Sequence, residues 1–76
     1  MKIEISEISP KNWKWRVQRG GNVTCWGYGY DTKGGAIRAA TNECLAMAKL
    51  ALGRPLTSAE KTEARSRVKT ATEVVS

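Results

Sequence analysis

Histidine and phenylalanine are absent from this 76-residue chain, and cysteine, methionine and proline occur twice each. Each shortage removes a class of function. Without histidine the usual general base is missing. Two cysteines and no histidine fall short of the four Cys or His ligands that a structural zinc site draws on. The length leaves room for one domain at most, which excludes a two-domain cleft and a dinucleotide-binding fold. No apolar run approaches the ~18–20 residues needed to span a bilayer; Leu45 to Leu52 is already interrupted by Lys49. The stretch Met1-Lys2-Ile3-Glu4-Ile5 alternates and carries an acid, unlike a signal peptide. Cys25 and Cys44 in such a chain read as reduced thiols, so a cytoplasmic setting is expected.

Acidic side chains are also in the minority. Thirteen Lys plus Arg against seven Asp plus Glu give a net charge of +6, and the isoelectric point is near 9.8. That balance fits a partner carrying negative charge, such as nucleic acid or an acidic protein surface; the plainer alternative is an ordinary cationic exterior. The seven carboxylates form no evident catalytic pair, and neither cysteine has a histidine to activate it. Enzyme is therefore the weakest of the general readings, and no cofactor is implied.

What is present divides cleanly. Ile3 and Ile5 alternate with Lys2, Glu4 and Ser6, a short half-buried strand, and Ser9-Pro10-Lys11-Asn12 breaks it. Trp13, Trp15 and Val17 alternate with Lys14, Arg16 and Gln18, a second strand. Gly20-Gly21 then supplies the positive φ angles of a tight hairpin turn, and Val23 to Tyr30 returns as a third strand. A two-residue loop at Gly20-Gly21 sets Arg19 opposite Asn22, Val17 opposite Thr24, Trp15 opposite Trp26 and Trp13 opposite Tyr28. All the aromatic residues of these pairs share one face in that register, and a slip of one residue would scatter them. The expected result is an aromatic face and a cationic face. Trp13, Trp15 and Trp26 are then chiefly core, each able to bury roughly 200 Å².

Asp31 or Thr32 can cap the next element. From Lys33 to Leu52 the positions Ile37, Ala40, Cys44, Leu45, Ala48 and Leu52 recur at three- and four-residue steps, which predicts an amphipathic helix of about five turns. Its small side chains suit a sheet carrying bulky indoles. Gly53 and Pro55 end it. Thr57 and Glu60 have capping-box spacing, and a weaker helix is expected from about Ser58 to Val74, frayed beyond Thr70. Its apolar stripe of Ala64, Val68, Ala71 and Val75 is thin, and only Glu63–Arg67 makes a favourably ordered ion pair. In the expected register Cys25 points away from the helix and Cys44 into the core, so no disulfide joins them.

Three features bear on function. Lys14 and Arg16, with Lys11 and Arg19 at the ends of the same strand, form a line of positive charge, which is equally the way a one-sided sheet keeps a solvated face. Tyr30, at the sheet margin, can stack on a base or anchor a protein. Gly34 and Gly35 in a first helical turn, between Lys33 and Arg38, offer bare N–H groups to an anion; the steric alternative is that they let the turn pass close under Tyr28 or Tyr30.

Two resemblances arise at these residues. The run Trp13-Lys14-Trp15-Arg16-Val17, Gly20-Gly21 and Gly27-Tyr28-Gly29-Tyr30-Asp31-Thr32, leading into an Ala-rich helix, resembles small phage proteins that include some type I anti-CRISPR proteins. That likeness implies a stoichiometric inhibitor occupying a surface on a host nucleoprotein complex. With a net charge of +6, its target would be an acidic protein surface or bound nucleic acid. The same stretch is similar to the arm-binding domain of phage-type tyrosine integrases and to plant AP2 domains, which implies a sheet entering a DNA groove with Lys14, Arg16 and Thr24 or Gln18 at the DNA.

The expected fold is α+β: a three-stranded antiparallel sheet on one long helix, with residues 1–56 as the core domain and 57–76 as a helical extension. The expected function is non-enzymatic binding of phage or mobile-element type. Inhibition of a host defence complex and direct DNA binding stand side by side, with no membrane partner. The chain would act as a monomer or a homodimer.

Overall fold

Two tight turns fold the first part of the chain into an antiparallel meander. The first places Lys11 at φ 60°, and the second places Gly20 and Gly21 at φ 58° and 83°, as the glycine pair predicts. The computed structural model describes residues 1–75; the expected extension 57–76 therefore ends one residue outside the description. The elements in chain order are β1 (Lys2–Ser9), β2 (Asn12–Arg19), β3 (Asn22–Tyr30), α1 (Lys33–Leu52), α2 (Ser58–Ala71) and β4 (Thr72–Val75). The sheet order is β3-β2-β1-β4, with β4 parallel to β1 and the other pairs antiparallel. Both helices pack on one side of the sheet, and the other side is open.

The architecture is α+β as expected, but the sheet has four strands and not three. The second helix stops at Ala71 instead of running to Val74. Thr72 leaves helical geometry at φ −77°, ψ 132°, and its hydroxyl donates to the Val68 carbonyl at 2.6 Å. The β-branched residues Thr72, Val74 and Val75 then lie alongside Ile3, Ile5 and Ser6. A parallel return of this kind needs a long crossover, and the two helices provide it.

Helix α1 runs from Lys33 to Leu52 as predicted. The Thr32 hydroxyl accepts from the Gly35 N–H at 3.0 Å, and Gly53 closes the helix in the left-handed conformation at φ 70°. The capping box of α2 is complete: the Glu60 N–H donates to the Thr57 hydroxyl, and the Thr57 N–H to the Glu60 carboxylate.

Ile3, Ile5, Trp15, Val17, Ala36, Ala40, Cys44 and Val68 form the core. The α1 stripe that faces the sheet is Ala36, Ala40 and Cys44, with no side chain larger than a cysteine. Its backbone therefore lies close over Trp15. Of the expected stripe, Leu45 and Ala48 are half-buried and Leu52 is exposed.

The hairpin register departs from the simple one. Arg19↔Asn22 and Gln18↔Val23 pair as the turn dictates, but Thr24 then bulges. Beyond it the partners are Val17↔Cys25, Arg16↔Trp26 and Trp15↔Gly27, and after a second irregularity Trp13↔Tyr30. The bulge exchanges the two faces of β3. Cys25 turns to the helices, contrary to expectation, and Trp26 turns to the open side. Trp15 is buried and Trp13 half-buried, but Trp26 is not core: it is 67% exposed. Space explains the exchange. A Cβ at position 27 would lie 2.5 Å from Trp15 Nε1, so the buried indole occupies the volume over that position and requires glycine there. A second indole in the same layer would hold the Ala36–Ala40–Cys44 stripe away from the sheet. Both cysteines are free, although the orientation expected to keep them apart is not the one adopted.

Candidate functional site

The open side of the sheet is built by strand parity. Strand β2 contributes Lys14, Arg16 and Gln18; β1 contributes Lys2, Glu4 and Ser6; and past the Thr24 bulge β3 contributes Trp26 and Tyr28. Trp26 and Tyr28 are 67% and 71% exposed. With Ile8, Val23, Lys14 and Arg16 they line a shallow depression of about 260 Å³. Large aromatic groups this accessible are unusual where a buried position was available, because each leaves apolar area in water.

The electrostatics of this face differ from a plain line of cations. Arg16 Nη2 reaches both oxygens of Glu4 at 3.1 Å, and the Glu4 side chain is mostly covered. Lys2 lies 3.8 Å from Glu73. Lys14 has no ion-pair partner among the described residues. The face therefore carries three cations and two acids around an aromatic centre. Arg16 sits directly across from Trp26, held flat against the sheet by Glu4.

The residues singled out in the sequence do not all meet. Lys14 and Arg16 lie on the open face, and Lys11 sits in the turn at its end. Arg19 has the parity of Val17 and goes to the helix side, where Nη2 is 3.6 Å from Met1 Sδ. It lines a groove of about 320 Å³ between the helices with Cys44, Ala48 and Val68. Tyr30 is half-buried on the helix side against the core. Lys33 and Arg38 are exposed on α1, in the layer opposite Lys14. At the start of α1 the Gly35 N–H is taken up by Thr32, and Tyr30 Cβ stands 3.9 Å from where a Gly35 Cβ would be, while Gly34 meets open space. The steric reading thus holds at Gly35.

Trp26 and Tyr28 are the residues that sequence reasoning placed on the wrong side. The available signal was Gly27: glycine opposite a bulky core residue marks close approach in a strand. Comparison with protein-family models, curated proteins and solved structures gives no match to this chain.

Proposed function

We propose that this is a non-enzymatic binding protein of phage or mobile-element type that inhibits a host nucleoprotein complex of the CRISPR kind by occupying a surface on it. One observation carries the reading: Trp26 and Tyr28 stand exposed beside Lys14 and Arg16 on a sheet face that no helix covers. Trp, Tyr and Arg are the residues enriched at the energetic centres of protein interfaces. The near balance of charge on this face favours a protein surface over bare phosphate.

Magnitudes point to a large partner. Roughly two-thirds of ~200 Å² per aromatic gives about 270 Å² to cover, or about 7 kcal/mol gross. Association itself costs ~4–15 kcal/mol, so the pair anchors a wider contact and does not hold a complex alone. Helix α1, with Lys33, Arg38 and Lys49 against Glu43, supplies further positive surface.

A specific observation supports a second reading, direct DNA binding. Lys14 is unpaired beside two aromatic faces on which bases can stack, a combination found at nucleic-acid grooves. One experiment separates the two. Binding to labelled DNA that falls steeply between ~50 and ~200 mM salt supports DNA binding. A discrete complex with a purified type I surveillance complex that persists across that range supports inhibition. Failure of both discards the proposal, and unchanged binding after Lys14→Glu with Arg16→Glu removes the sheet face as its location.

A further inference from the structure

All four sulfur atoms of the chain gather on the helix side of the sheet, near the β2–β3 turn. Cys25 Sγ lies 3.8 Å from Met47 Sδ. Cys44 is one turn from Met47 on the same side of α1, and its titration feels the charge of Cys25. Met1 shares the groove that Cys44 borders, and its sulfur touches Arg19. Three of the four come from separate elements: the start of the chain, β3 and α1. The Thr24 bulge is what makes this possible, because the unbulged register would leave Cys25 on the open face.

We propose that Cys25, Cys44 and Met47 form a binding site for a soft monovalent metal ion of the Cu(I) class. Two thiolates and a thioether are the donors that such an ion selects, whereas hard cations take oxygen. The 3.8 Å between Cys25 and Met47 sulfurs equals the edge of a coordination shell with metal–sulfur bonds of about 2.3 Å. A zinc-class ion needs more ligands, and among the described residues no group of three or more Cys, His, Asp or Glu is gathered. Simple packing of thiols as small apolar groups accounts for Cys44, but it does not require a thioether against Cys25 or both thiols at one point.

Proton balance follows from the donors. Burial first, and Cys25 next, push the Cys44 thiol above its ordinary range, with Arg19 opposing them. Binding one monovalent ion to two thiols releases two protons and leaves one net negative charge. Arg19 is the cation that acts on Cys44 there. Apparent affinity therefore rises with pH, by up to about a hundredfold per unit while both thiols remain protonated.

The test is anaerobic titration of the reduced protein with Cu(I) in competition with a chromogenic Cu(I) chelator. The expected result is one ion per chain, a sulfur-to-metal charge-transfer band, and affinity that climbs with pH. Met47→Leu, which nearly conserves volume, should keep the circular dichroism of the parent and weaken binding at least about tenfold. Cys25→Ser should abolish it. Failure to compete with the chelator, two chains per copper, displacement by equimolar Zn²⁺, or a Met47→Leu protein that binds like the parent would each overturn the assignment.

Discussion

Replacing Gly27 by alanine isolates the contact that sets the hairpin register. Gly27 is not at a positive φ, so its backbone accepts any side chain. Without a neighbour, Gly→Ala in a strand would stabilise by roughly 0.5–1 kcal/mol through the unfolded state. Here the new methyl would lie 2.5, 2.8 and 3.0 Å from Trp15 Nε1, Cε2 and Cζ2. The indole is only 5% exposed and lies beneath α1, so it has little room to retreat. A ring that shifts within the core costs about 1–3 kcal/mol. A ring expelled to water costs about 5 kcal/mol, from ~200 Å² at ~25 cal/mol per Å². We expect a net loss of about 3 kcal/mol, a large share of the ~4–11 kcal/mol available to a domain of this size. The melting temperature should fall by roughly 12–24 °C, at ~4–8 °C per kcal/mol. Urea and thermal unfolding, followed by circular dichroism and tryptophan fluorescence, give both quantities. Gly34→Ala is the control: it meets open space in a helix and should stabilise by up to about 1 kcal/mol. A smaller ring relieves the clash, so in a Trp15→Phe background the same Gly27→Ala change should cost at least about 1 kcal/mol less. If Gly27→Ala alone moves stability by less than about 0.5 kcal/mol, the proposed cause of the register is wrong.

Val68 is the one α2 side chain that is fully buried. Val68→Ala should cost about 2 kcal/mol from two lost methyl groups and the cavity they leave, and a urea midpoint matching the parent would show that α2 does not seal the core. Glu60 should make α2 sensitive to acid. The Arg54 side chain first, and the Thr57 N–H next, hold its carboxyl down to about 2. A depressed carboxylate stabilises the fold fully above its unfolded value near ~4.3, and that contribution disappears as pH falls toward the folded value. The advantage of the parent over Glu60→Gln should therefore be whole at pH 5 and fade by pH 2; a difference independent of pH would mean that the charge contributes nothing.

The parts of the fold that were readable from sequence are those fixed by local chemistry. Thr32, Gly53 and Pro55 bound α1 because a cap, a left-handed residue and a missing N–H act within a turn of their own position. The Gly20-Gly21 turn and the capping box at Thr57 and Glu60 are local in the same sense. Strand β4 is not. Thr72–Val75 follows a helix directly, and it becomes a strand only because Ile3–Ser6, far away in sequence, offers an unpaired edge. The Thr24 bulge escaped for a different reason: alternation scored the aromatic grouping and ignored the volume that Trp15 needs over position 27. Arg19 was misplaced by counting charge along the chain, although its parity with Val17 already assigned it to the helix side.

The most direct test of the open sheet face as the working surface is the double variant Trp26→Ala with Tyr28→Ala, assayed for binding to the type I surveillance complex. Both side chains are exposed, so the variant should unfold within about 1 kcal/mol of the parent, in contrast to the ~3–5 kcal/mol expected for Trp15→Ala. Its affinity should drop at least about a hundredfold, as the loss of two central aromatic anchors requires. A variant that binds as tightly as the parent, or one that fails to fold, would contradict the assignment.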